Sequence, residues 1–91
     1  MSYEIIYAEI VISEDIPKLG TSIKKQIKQA IETKLIEHPN VFGKPLRNSI
    51  KGYWKLRVGN YRIIFRIQKK EVKIFAIAHR SYVYTNILKR I

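Results

Sequence analysis

The sequence predicts an α+β fold: a small, mostly antiparallel sheet with an N-terminal helix pair packed on one face, in the order β-α-α-β-β-β(-α). Three observations carry this. A strand-like run rich in Tyr, Ile and Val opens the chain, apolar residues then recur at helical spacing, and beyond residue 52 the period changes to two. Strands and helices that are segregated along the chain, rather than alternating, point to helices gathered on one face of an antiparallel sheet. A chain of 91 residues has room for one domain with one core, residues 1–91. At this size folding buries about 60–65% of the surface that the unfolded chain exposes.

The first strand is expected over Tyr3 to Ile12. Ser13-Glu14-Asp15 reads as a helix N-cap followed by acids that suit the helix dipole. A short helix to about Leu19 follows, limited by Pro17 and by Gly20 as a C-cap. Thr21 or Ser22 then caps a second helix. Ile23, Ile27, Ala30, Ile31 and Leu35 line its apolar face, with Lys24, Lys25, Lys28 and Glu32 between them. His38-Pro39-Asn40 ends it. Val41 to Lys51 holds Gly43, Pro45, Asn48 and Ser49 and is expected as a loop.

Three strands come next. Tyr53, Lys55 and Arg57 alternate with Trp54, Leu56 and Val58. Gly59-Asn60 suits a two-residue hairpin turn, and Tyr61 to Ile67 returns. Gln68 to Glu71 is a second polar turn, Val72 to Ala78 the last strand, and Tyr82 to Ile91 a short terminal helix. Ile63, Phe65 and Ile67 point one way while Ile64 shares a side with Arg62 and Arg66. In the last strand Val72, Ile74, Ala76 and Ala78 are expected to oppose Phe75 and Ile77. Both faces of the sheet are thus partly apolar, so the second face needs a cover, either the terminal helix or a partner protein.

Charge is unevenly placed. Residues 1–37 hold five basic and six acidic side chains, residues 38–91 thirteen and one, so −1 and +12 make up the net +11. Residues 38–70 carry nine Lys or Arg and no acid. Such asymmetry points to an anionic partner. There is no cysteine, which excludes disulfides and thiolate chemistry and fits a reducing cytoplasm. The N-terminal Met-Ser-Tyr-Glu-Ile-Ile lacks the basic region of a signal peptide. The apolar runs fall far short of the roughly 20 residues that span a bilayer, so no membrane is expected among the partners.

Pro45-Leu46-Arg47, the run Gly52 to Ile67 (GYWKLRVGNYRIIFRI) and the ending Ala78-His79-Arg80-Ser81-Tyr82-Val83-Tyr84 resemble the RelE/ParE superfamily of bacterial and archaeal type II toxins, in particular its RelE branch. Asp15-Ile16-Pro17-Lys18-Leu19 and the helix after it fit the same pattern, so the resemblance spans essentially the whole chain. It implies a compact toxin that enters the ribosomal A site, where it meets 16S rRNA, and cuts the mRNA there. It also implies neutralisation by a small, acidic, RelB-like antitoxin that wraps around the toxin in a hetero-oligomer.

RNA scission by the adjacent 2′-hydroxyl needs a base near that hydroxyl, donors on the phosphorane oxygens and an acid at the leaving 5′ oxygen. Basic and aromatic groups suffice. A metal would call for clustered His, Asp or Glu, and residues 38–91 offer only His38, His79 and Glu71, so neither metal nor other cofactor is expected. Matched by position to the family, Lys55 is the catalytic lysine, Arg62 the arginine after the hairpin turn, Arg80 the arginine after the last strand and Tyr84 the C-terminal tyrosine, with Tyr82 as the alternative match. Arg57 matches a further active-site arginine.

The implied roles are support of 2′-OH deprotonation by Lys55, binding of the scissile phosphate by Arg62, stabilisation or protonation of the leaving oxygen by Arg80, and base stacking or proton transfer by Tyr84. Tyr53 stands where the best-known RelE pattern has a second lysine. His79 is a candidate acid or base in its place. Lys44, Arg47, Lys51, Arg57 and Arg66 are expected to bind RNA. Trp54 reads as a core residue, and Lys69, Lys70, Lys89 and Arg90 as solubilising charges. Two other functions fit the same fold and charge: a ParE-type inhibitor of DNA gyrase, and a non-catalytic module that binds RNA or the ribosome.

Overall fold

A computed structural model describes residues 2–46 and 52–90. Its centre is a five-stranded sheet in the order β1-β5-β4-β3-β2. The strands are β1 Glu4–Tyr7, β2 Lys44–Pro45, β3 Trp54–Val58, β4 Tyr61–Gln68 and β5 Glu71–His79. β1 lies parallel to β5 and the other neighbours are antiparallel. The expected mixed architecture is present, with differences that have local causes.

β1 is shorter than expected. The amide of Ala8 still donates to the Ile74 carbonyl, at 2.9 Å. The chain then winds through five π-helical residues, Val11–Asp15, and a 3-10 turn, Ile16–Lys18. The β-branched run Ile10-Val11-Ile12 reads locally as strand, but Val11 is fully buried by the helical path. Gly20 is not a C-cap. It is the extended residue ahead of α1, Thr21–Ala30, and its carbonyl accepts from Lys24 N at 2.9 Å. Neither Thr21 nor Ser22 caps the helix, which begins at Thr21 and continues through a π turn, Ile31–Leu35. From the expected helix end into the expected loop, Pro39–Phe42 forms a helical turn, α2, and within that loop Lys44–Pro45 pairs as β2. Residues 47–51 of that loop, with Arg47 and Lys51, lie outside the described residues.

Gly43 makes β2 possible. A Cβ there would collide with the Phe65 ring and stand 2.8 Å from the Pro39 carbonyl oxygen. Only glycine lets the backbone run this close to the core before entering the sheet. In the β3–β4 turn Gly59 has φ of +58°, the first central position at which a type II′ hairpin favours glycine.

The two faces of the sheet have separate cores. Leu56, Ile63, Phe65, Val72, Ile74 and Ile77 pack under α1 and its π turn, with Ile27, Ile31 and Leu35 opposite. Trp54 packs on this core, stacked with Phe65 at 6.4 Å. Ile64, Ala76 and Ala78 form the second core beneath Val83 and Ile87 of α3, Val83–Arg90. The second face is therefore covered, in part, by the terminal helix.

β5 alternates differently from the expectation. Phe65 pairs with Ile74 and Ile64 with Ala76, which leaves Phe75 as an inserted residue. This bulge shifts the parity of the strand. Val72, Ile74 and Ile77 serve the first core, while Ala76 and Ala78 serve the second.

The bulge also leaves backbone groups that β1 is too short to pair. Asp15 and Arg90 take them. Ile77 N donates to Asp15 Oδ2 at 2.9 Å and Arg90 Nη1 donates to the Phe75 carbonyl at 2.9 Å. Arg90 grips Asp15 with both ends of its fork, at 2.8 and 2.7 Å. Asp15 is 4% exposed. Arg90 is thus a half-buried anchor of α3, not a solubilising charge, and Asp15 is a core carboxylate rather than a helix-dipole acid. The hydrogen bond to Asp15 raises the Arg90 pKa further above its ordinary value, against the opposing effect of burial.

Candidate active site

On the face that carries α3, the helix packs on Ile64 of β4 and on Ala76 and Ala78 of β5, and among the described residues β3 and β2 are left bare. The register builds the site on this bare part. Lys44 of β2 lies opposite Lys55 of β3, and Arg57 of β3 lies opposite Arg62 of β4. All four side chains share one face, since Lys55 is also paired with Ile64 and Arg62 with Ala78 of the second core. One step further along β4, Arg66 is paired with Lys73. Like charges directly opposite in a sheet are destabilising. Among the described residues the ion pairs are Asp15–Arg90 and Glu37–His38, so no carboxylate offsets this row.

Arg62 is held in place. Its Nη1 donates to the carbonyls of Gly59, at 3.0 Å, and Tyr61, at 2.9 Å. The guanidinium is clamped against the turn by one nitrogen, and the Nε–Nη2 edge remains for an anion. Such an edge can give two parallel donors to phosphate oxygens. Arg80 follows β5 and is exposed. Its backbone N–H donates to Asn60 O at 2.8 Å, which ties it to the same turn as Arg62.

Tyr84 is exposed in the first turn of α3. Val83 and Ile87 face the core, and Asn86 and Arg90 face the Asp15 side. The helical period therefore puts Tyr84 on the opposite flank, towards β3 and the basic row. Tyr82 lies on the other flank, against His79 at 6.0 Å.

His79 is not brought to the row. It pairs with Tyr61, whose ring it meets edge-on at 5.5 Å, and Tyr61 packs on the first core. The sheet itself separates His79 from Lys55. Its Nδ1 accepts from Ser81 N at 3.1 Å and lies 2.9 Å from Ser81 Oγ, which leaves the proton on Nε2. Among the described residues no cluster of three or more His, Asp or Glu could hold a metal ion.

Two features were not foreseen. Lys73 joins the basic face opposite Arg66, and it could have been found from its place between the inward Val72 and Ile74. Tyr53 is also more than a lost lysine. Its ring meets Phe75 edge-on at 5.1 Å and lies under the Arg66 guanidinium at 5.4 Å.

A small α+β chain with a row of unpaired cations on an open sheet face has the form of a type II toxin, and comparison with known proteins agrees. Residues 3–84 match the family model for the ParE toxin of type II toxin-antitoxin systems, parDE. The chain is 32% identical over 79 residues to the mRNA interferase toxin RelE of Escherichia coli, covering 81% of this chain and 82% of that one. Toxin RelE of Mycobacterium tuberculosis is 32% identical over 74 residues, covering 79% and 76%. In structure, a chain of the toxin–antitoxin complex RelBE2 from M. tuberculosis superposes with a TM-score of 0.81 at 28% identity, covering 88% of this chain and 100% of that one. An arginine-to-alanine double mutant of E. coli RelE in the free state gives 0.77 at 25% identity, covering 100% and 99%. The chain belongs to the RelE/ParE superfamily of type II toxins, on its RelE branch.

Proposed function

We propose that this chain is a cytoplasmic endoribonuclease toxin that cuts mRNA in the ribosomal A site, with no metal, and is neutralised by a small, acidic, RelB-like antitoxin. The observation that carries this is the placement of Lys55, Arg57 and Arg62 on one open face, with no carboxylate of the described residues paired to them. The E. coli relative is an mRNA interferase by name, and the RelBE2 relative is a toxin–antitoxin complex.

The chemistry follows from the groups. Arg62 offers its free edge to the scissile phosphate. Charge on the phosphorane oxygens grows in the transition state, so fixed donors act most strongly there. Arg57, directly opposite, adds a second guanidinium. Lys55 stands one pair away and supports removal of the 2′-OH proton. Arg80, tied to the turn beside Arg62, stabilises or protonates the leaving 5′ oxygen. Tyr84 stacks on a base and holds the strand for in-line attack. Lys44 and Arg66, with Arg47 and Lys51 of the neighbouring segment, bind the flanking backbone. His79, on the far side of the sheet, is left out of this mechanism.

The test is a brief pulse of expression followed by mapping of mRNA 5′ ends. New ends within codons of translated messages, carrying 5′-hydroxyls, are expected. Growth arrest with intact messages would overturn the reading and favour a target such as gyrase.

A further inference from the structure

We propose that the Arg66 guanidinium, backed by the Tyr53 ring, is a stacking platform for a nucleobase beside the scissile nucleotide. The inference rests on the ribonuclease reading above and adds a subsite to it. Arg66 is exposed, yet its guanidinium is backed by the Tyr53 ring, 5.4 Å away, and runs past Gly52, where an added Cβ would stand at van der Waals distance from Nε and Nη2, at 3.8 and 3.9 Å. Tyr53 is itself fixed, half-buried and edge-on to Phe75 at 5.1 Å, and Lys73 caps the Phe75 ring at 5.2 Å. The planar cation is thus held against a pinned aromatic ring, with its outer face turned to solvent.

Phosphate binding calls for a fork of donors but for no aromatic ring behind it. Flat guanidinium groups, by contrast, carry unstacked RNA bases in single-stranded recognition. The position suits such a base. Arg66 stands four residues from Arg62 on the same face of β4, roughly 13 Å at about 3.3 Å per residue. Lys55 lies between the two. A strand whose reacting phosphate sits at Arg62 and passes Lys55 brings a neighbouring base over Arg66.

The experiment measures binding of a 2′-O-methyl hexaribonucleotide by the intact chain and by Arg66→Ala, Arg66→Lys, Tyr53→Phe and Tyr53→Leu. Each protein is also tested with hexamers carrying one abasic position in turn. Arg66→Ala and Tyr53→Leu should each weaken binding by about tenfold, the scale of one stacked base. Arg66→Lys should not restore it, while Tyr53→Phe should bind as the parent does. One abasic position should weaken the parent equally and should add nothing to Arg66→Ala.

Parent-like binding by Arg66→Lys, additive losses at every abasic position, or no binding by the parent would each overturn the platform. Message cleavage in a translating extract, run on the same proteins and on Arg62→Ala, separates the two ideas. If the parent leaves messages intact, the nuclease reading fails whatever the hexamers show. If it cuts them while Arg66→Lys binds normally, only the platform fails.

Discussion

Arg62 is the side chain on which the proposed chemistry depends most, because it is both clamped and open. Nη1 is spent on two turn carbonyls, so the remaining edge needs no reorganisation when charge builds on the phosphate. Arg62→Ala should lower the cleavage rate by about 10²-fold or more, the usual loss on removing one preorganised donor. Arg62→Lys should recover only part of this, since an ammonium cannot both hold the turn and present a fork. Cleavage in a translating extract, with circular dichroism to confirm folding, checks both. A folded Arg62→Ala protein that cuts as the parent does would remove Arg62 from the site. The residues of this row were legible in the sequence from the family resemblance and from the period of two on either side of Gly59-Asn60, although Ile64 interrupts the polar side of β4. The side of the sheet on which His79 falls was not legible, because it depends on the bulge at Phe75, which leaves no mark in local composition. Asp15 and Arg90 were missed for a different reason. They are 75 positions apart, and each looks like an ordinary surface charge among its neighbours.

At the scale of elements, the Asp15–Arg90 pair joins the first helical segment, the bulged strand and α3 at one point. Asp15→Ala leaves the half-buried Arg90 guanidinium uncompensated and the Ile77 amide unpaired. Loss of one partner of a buried pair costs about 3–5 kcal/mol, so urea unfolding should show a large drop in midpoint, and α3 should lose its docking first. Hydrogen exchange of the α3 amides checks the order; protection of α3 equal to that of the central strands would disprove it. Gly43 governs another junction. Gly43→Ala forces a methyl group into the Phe65 ring, and overpacking of this kind costs about 1–3 kcal/mol. Thermal melting reads that loss, and an unchanged melting temperature would show that α2 and β2 can shift to accept the methyl. The helix α1 and the three long strands could be read from periodicity alone. The first helical segment was read only from Ser13 onward, since the β-branched residues at its start follow the tertiary need to bury Val11 rather than their own propensity. The two-residue β2 was too short to carry any periodic signal.

Across the whole molecule, charge separates the two halves of the chain, and residues 38–91 bring six of their thirteen basic side chains, Lys44, Lys55, Arg57, Arg62, Arg66 and Lys73, to one face of the sheet. RNA binding should therefore weaken steeply with salt, with a log-log slope of about 0.7 to 0.9 per neutralised phosphate and several phosphates engaged. A flat response would contradict an electrostatic interface. The same surplus calls for an acidic antitoxin, and co-purification with the product of an adjacent gene checks it. The opposed cations of the site, Lys44 with Lys55, Arg57 with Arg62 and Arg66 with Lys73, have one more consequence. They repel one another in the free protein, so the toxin carries strain that any dense polyanion relieves by binding the folded chain alone. Added salt should then act with opposite signs on two readouts, loosening RNA while raising the melting temperature of the unbound protein. In this sense the ligand is also the counter-charge that completes the fold.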